Sequence, residues 1–140
     1  MNQKPVILVV DDDAPILTLM RNLLREFGFD SVVANTGEQA LEGARAQRPD
    51  LVLLDKNMPG MSGTEVIRAF RREDGLEQIP ILILSGEPLS QPELEEIGAN
   101  GAVMKPFDVP ALVIRWNDNY RFPLHPGAST PQRDKPQLAV

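Results

Sequence analysis

Five short, largely apolar runs, each followed by a helix-like pattern, constrain this chain more than any other feature. Val6–Val10, Ser31–Ala34, Leu51–Leu54, Ile81–Leu84 and Ala102–Met104 are strand-sized. Between them the apolar residues recur at helical spacing. After the first run come Ile16, Leu17, Met20, Leu23, Leu24 and Phe27 on one face, with Asp13 as N-cap candidate, Pro15 in the first turn and Gly28 at the exit. Thr36-Gly37-Glu38-Gln39, Ser62-Gly63-Thr64-Glu65 and Ser90-Gln91-Pro92-Glu93 each have the form of a capping box opening a helix. The first of these helices must end before Pro49, the second carries Val66, Ile67 and Phe70 inward, and the third ends at Gly98. Asp108 caps a last helix with Val109, Leu112, Val113, Trp116 and Tyr120 on one side. Short apolar strands alternating with helices predict an α/β fold, a doubly wound parallel sheet covered on both faces with right-handed crossovers.

At 140 residues the chain has room for one domain. The alternation runs to about residue 122, so residues 1–122 are read as the folded domain. Residues 123–140 place Pro123, Pro126, Pro131 and Pro136 among Gly, Ser, Thr and Gln, and are expected to form a disordered tail. Fourteen basic and twenty acidic residues give a net charge of −6, which disfavours direct contact with a phosphate backbone. The chain has no cysteine, which excludes disulfides, thiolate metal sites and cysteine nucleophiles. No apolar run is long enough to cross a bilayer and no signal-peptide pattern is present, so a cytoplasmic protein without membrane contact is expected.

In open parallel sheets ligands bind outside the carboxyl ends of the strands. Four of the five strand ends carry a reactive residue type: Asp11-Asp12-Asp13, Asp55, Ser85 and Lys105. Taken singly, Asp13 serves as a cap, Asp55 and Ser85 as turn residues, and Lys105 as a solvated charge. Together they are harder to dismiss. Adjacent carboxylates repel and raise each other's pKa, and Asp55 on the same rim adds to the repulsion. Such a cluster does nothing for stability unless a cation lies between its members. Magnesium, which takes a few protein oxygens and keeps several waters, suits a half-open rim. The only histidine, His125, sits in the Pro-rich stretch, away from this rim.

The segments Val9-Val10-Asp11-Asp12-Asp13, Leu53-Leu54-Asp55-Lys56-Asn57-Met58-Pro59-Gly60-Met61-Ser62-Gly63, Leu84-Ser85-Gly86 and Met104-Lys105-Pro106-Phe107 resemble the receiver domain of two-component response regulators over about residues 4–122. The resemblance to the stand-alone, chemotaxis-regulator type implies a flavodoxin-like sheet of order 2-1-3-4-5. It implies that Asp55 is the phosphoacceptor, attacking the phosphorus of a phosphohistidine on a sensor histidine kinase or phosphotransfer protein. Asp12 and Asp55 would ligate magnesium directly, Asn57 through its backbone carbonyl, and Asp11 mainly through a water. Lys105 and Ser85 would each meet a phosphoryl oxygen. The implied protein is not an enzyme beyond its own phosphorylation and dephosphorylation. It signals through an unknown output protein and contacts neither nucleic acid nor membrane. Lys105-Pro106 is a cis-peptide candidate by resemblance, although the sequence by itself favours trans.

Three features depart from the family pattern. Ala102 stands where most receivers carry Tyr or Phe, so no ring is available to couple to the hydroxyl residue. Glu93, Glu95 and Glu96, with Pro88 and Pro92, make the fourth helix short and acidic. Lys56 adds a cation beside Asp55 that either assists the site or points to solvent. Arg68, Arg71 and Arg72 read as the solvated face of the third helix. Asn57 and Glu87, at the loop positions that tune phosphoryl lifetime in this family, imply decay on the faster side. Two other readings compete. A haloacid-dehalogenase-like phosphatase would also use Asp, Ser, Lys and magnesium, but its Asp-x-Asp-x-Thr/Val pattern is incomplete at Asp11-Asp12-Asp13-Ala14-Pro15. A scaffold pseudo-receiver would not need so complete a site.

Overall fold

The computed structural model describes residues 4–58 and 60–105. Five parallel strands, β1 (Val6–Val10), β2 (Asp30–Ala34), β3 (Leu51–Asp55), β4 (Ile81–Ser85) and β5 (Gly101–Met104), lie in the order β2-β1-β3-β4-β5. Four helices connect them: α1 (Ala14–Glu26), α2 (Gly37–Ala46), α3 (Gly63–Arg72) and α4 (Gln91–Ile97). This is the flavodoxin-like order. The expected last helix, the Pro-rich stretch 123–140 and the Lys105–Pro106 bond lie outside the described residues.

The strands are apolar throughout because both of their faces are covered. Leu8, Val10, Val52, Leu54, Ile81 and Ile83 point into one core with the inner faces of α2 and α3. Their neighbours Ile7, Val9, Leu51, Leu53, Leu82 and Leu84 point into the other, with Leu17, Met20 and Leu24 of α1. The period of two along each strand divides the residues between two layers.

The ends of the elements differ from the sequence reading in instructive ways. β3 and β4 each run one residue further, to Asp55 and Ser85, because the ladder pairs Asp55 with Leu84 and Ser85 with Met104. Two of the rim residues are therefore held by the sheet and not by a loop. Both Ser62 and Ser90 form reciprocal capping boxes with Glu65 and Glu93. Thr36 does not complete one: its hydroxyl accepts from the Gln39 N–H, but the Gln39 side chain accepts from the Asn35 N–H. On α1, Ile16 lies at the rim of the face and is 37% exposed, while Leu17, Met20 and Leu24 are buried.

Gly37, the first residue of α2, is a packing requirement that the sequence did not reveal. A Cβ there would lie 2.6 Å from Met61 Sδ, 2.9 Å from Met61 Cβ and 2.8 Å from Val66 Cγ2. Met61 belongs to the loop between β3 and α3, so α2 and that loop are fitted together at this point. Gly37→Ala is expected to lower stability by about 1–2 kcal/mol, the lower part of the range for overpacking, because the Met61 thioether can move while Val66 is fixed. A denaturant midpoint equal to that of the wild type would refute this.

Candidate functional site

The rim forms where the carboxyl ends of β1, β3, β4 and β5 converge. The Asp11 N–H bonds to the Ala34 carbonyl at 3.1 Å, which fixes the residue at the exit of β1. Its Oδ1 accepts from the Asp13 N–H at 3.0 Å, and Asp13 Oδ1 in turn accepts from the Ile16 N–H as the N-cap of α1. Asp13 is thereby used by the helix. Asp11 and Asp55 are buried and Asp12 is exposed, and one carboxylate oxygen from each lies within 4.8 Å of the others. Three carboxylates so close, two of them shielded from water, form a strongly negative site. Burial pushes the Asp11 carboxyl above its ordinary range. The bond from the Asp13 N–H opposes this, and the charges of Asp55 and Asp12 add to it.

Lys105 is the one cation placed directly on this site among the described residues. Its Nζ donates to Asp55 Oδ1 at 3.0 Å. Burial pushes the ammonium down, but the bond to Asp55 and the charges of Asp55, Asp11 and Asp12 outweigh it and hold Lys105 above its ordinary range. The Lys105 N–H bonds to the Ser85 carbonyl at 2.8 Å, so β4 and β5 carry their rim residues side by side. The Ser85 side chain is turned into its own loop: its Oγ donates to the Glu87 carbonyl at 2.7 Å and accepts from the Glu87 N–H at 3.0 Å.

Asn57 is exposed on the loop leaving β3. That loop is anchored by buried Met58 and by Met61, and it turns through Gly60 at φ +81°. Gly63, at the start of α3, presses against the same turn. A Cβ there would lie 3.1 Å from the Lys56 carbonyl oxygen and 3.3 Å from that of Asp55. The absence of a side chain lets α3 start directly behind the exit of β3.

The donor set fits a hard divalent cation. It offers three carboxylates, Asp11 is raised first by burial and then by its acidic neighbours, and the rim stays open to water on the Asp12 side.

Residues 7–117 match the family model of the response regulator receiver domain. The chain belongs to the response regulator receiver family. It is 43% identical over 111 residues to the DNA-binding response regulator MtrA of Mycobacterium tuberculosis, a match over 78% of this chain and 47% of the relative. The chain thus spans about half the length of the MtrA relatives it matches. It is 36% identical over 109 residues to the chemotaxis protein CheY of Pseudomonas aeruginosa, over 76% of this chain and 88% of that protein. Among solved structures, Vibrio cholerae CheY4 superposes with a TM-score of 0.75 at 32% identity, covering 79% of this chain and 94% of the other. Receiver domains are signalling modules of two-component systems, which sets aside the haloacid-dehalogenase-like alternative. Among the described residues no helix is long and apolar enough to cross a membrane.

Two side chains differ from their sequence reading. Arg71 is not a solvated member of a basic face. Its guanidinium donates to the carbonyls of Gly98, Glu77 and Ile79 and to Asn100 Oδ1, at 2.8–3.1 Å. Asn100 Oδ1 also accepts from the Ile81 N–H. Arg68 and Arg72 are exposed, as expected. Lys56 is half-buried and lines a cavity between the start of α3 and α4, so it is not a freely solvated charge.

Proposed function

We propose that this receiver accepts a phosphoryl group on Asp55 from a sensor histidine kinase or phosphotransfer protein. We further propose that it signals through protein contacts that depend on the modification, from a cytoplasmic location. The observation that carries this reading is the buried Asp55 carboxylate, shared between the acidic cluster and the Lys105 ammonium at 3.0 Å. Asp55 would supply the attacking oxygen. Lys105, already in contact with it, would follow the charge onto a phosphoryl oxygen as a compact cation. Ser85 would donate to a second oxygen after giving up the Glu87 carbonyl. Asp11, Asp12 and Asp55, with the Asn57 backbone carbonyl, would hold magnesium, which supplies charge neutralisation for the transferring group. Transfer to and from its own Asp55 is the only reaction in this reading, and Asn57 and Glu87 favour quick decay.

The test uses acetyl phosphate with magnesium and intact-mass detection. A single phosphoryl adduct, removed by hydroxylamine and prevented by a chelator, is expected; no adduct would defeat the reading.

The identity to MtrA supports a second reading, in which the same residues act as the receiver half of a DNA-binding regulator. The net charge of −6 argues that these 140 residues do not themselves contact nucleic acid. A gel shift with mixed-sequence duplex DNA is expected to show no binding by this chain in either phosphorylation state.

A further inference from the structure

In this receiver a signal cannot pass through an aromatic ring at position 102, because Ala102 has none. Ala102 pairs with Ile83 in the β4–β5 ladder and packs on the same core. Above Ile83 a cavity of about 190 Å³ opens between the start of α3 and α4. Lys56, Thr64, Leu89, Glu93 and Glu96 line it together with Ile83. Among the described residues Lys56 is the only cation on this lining, and two carboxylates of α4 share the cavity with it. Lys56 follows Asp55 directly, and its N–H bonds to the Leu84 carbonyl at 3.0 Å, so its backbone is fixed to the sheet. Lys56 and Glu93 form no direct ion pair among the described residues, yet the Lys56 charge is felt at Glu93. Glu93 is held below the usual carboxylate range first by its bonds from Ser90, with Lys56 as a smaller cause.

The two ends of α4 are held differently. The carboxyl end is clamped: Arg71 binds the Gly98 carbonyl through Nε at 3.1 Å and Nη2 at 2.9 Å, and Asn100 Oδ1 at 2.9 Å. Gly98 also sits against Ile67, where a Cβ would meet Cγ2 at 3.2 Å. The amino end follows residues 86–88, which are exposed, and a Cβ at Gly86 would meet nothing within 4 Å. Only Leu94 of the seven residues of α4 is buried. Such an element is clamped at one end and lightly held at the other.

We propose that Lys56 couples Asp55 to α4. In the unmodified protein its ammonium attracts Glu93 and Glu96 and holds the first turn of α4 against the exit of β3. A phosphoryl group on the neighbouring Asp55 competes for the same ammonium, and the first turn then swings about the Arg71 clamp. The coupling rests on phosphorylation of Asp55 as proposed above. It shifts the equilibrium through a charge that interacts differently with the two positions of α4.

The test is amide hydrogen exchange on the full chain at low ionic strength, where screening is least. Wild type, Lys56→Met and the double variant Glu93→Gln/Glu96→Gln are compared with and without beryllofluoride and magnesium. Glutamine keeps the acceptor oxygen of the Ser90 capping box and removes only the charge. Both variants, untreated, are expected to exchange at residues 91–94 about two- to five-fold faster than wild type, the range an exposed charge interaction supports. Beryllofluoride should bring wild type to that rate and change the variants little, with residues 98–100 unaltered in all three. Bound beryllofluoride is monitored separately by its fluorine resonance. Untreated variants that exchange like wild type would overturn the Lys56 coupling alone. Absence of a bound fluorine resonance in wild type would overturn the phosphorylation reading and the coupling with it.

Discussion

Asp55→Asn is expected to yield a folded protein that takes up no phosphoryl group. The attacking atom must be a carboxylate oxygen, and the amide oxygen of asparagine is too weak a nucleophile to replace it. The exchange conserves volume at a site that is only 6% exposed, so packing against β4 is retained. The backbone pairing of Asp55 with Leu84 does not involve the side chain. What is lost is the charge opposite Lys105, whose Nζ can still donate to a neutral oxygen at the same place. One of three mutually repelling carboxylates is also removed, which eases the charge on buried Asp11. The variant is therefore expected to melt no lower than wild type without magnesium while the acetyl phosphate adduct disappears from its mass spectrum. An adduct of wild-type yield on a folded variant would move the phosphoacceptor to another carboxylate of the rim and reverse the assignment of roles.

What could be read from the sequence and what could not divide along a physical line. Signals within one element or across one turn were legible. Five apolar runs gave five strands, and Ser62 with Glu65 and Ser90 with Glu93 marked two helix starts to the residue, because a capping box closes over three residues. The acidic rim was legible because strand ends in a parallel sheet must converge, whatever lies between them in the chain. Contacts set by distant partners were not. Arg71 reaches Gly98 and Asn100 across 27 and 29 residues, and nothing local distinguishes it from Arg68 or Arg72. Gly37 reads as an ordinary residue of a helix start until Met61 and Val66 are placed against it. Lys56 stands beside Asp55 in sequence, but that it lines a cavity shared with α4 depends on residues 27 and more positions away. Nor could the sequence show the Ser85 hydroxyl committed to the Glu87 carbonyl.

Magnesium is expected to raise the melting temperature, and Asp11→Asn to raise it without magnesium while removing most of the gain from the ion. A ligand that binds only the folded state stabilises by about 2.7 kcal/mol at a hundredfold excess over its Kd. For a domain of this size that corresponds to roughly 10 °C, at about 4 °C per kcal/mol. The starting point is low because the folded state carries Asp11 in a buried position near Asp55 and Asp12. Its carboxyl is raised on folding, so its contribution favours the folded state fully only below the ordinary carboxylate pKa. That contribution is lost as pH rises through the raised value. The ion-free wild type therefore takes on the penalty as the pH rises through that raised value. Glu73 and Glu93 are held low, by Arg45 and by Ser90 respectively, and their contributions run the other way, being lost on acidification. Both are common to wild type and variant, so the difference between the two melting curves isolates Asp11. Without magnesium that difference should grow as the pH rises and shrink as the pH falls. Asparagine can keep the acceptor for the Asp13 N–H, so the turn into α1 survives the change. If the variant melts like wild type at neutral pH without magnesium, and gains as much when the ion is added, Asp11 belongs to the turn alone and the cation is held without it.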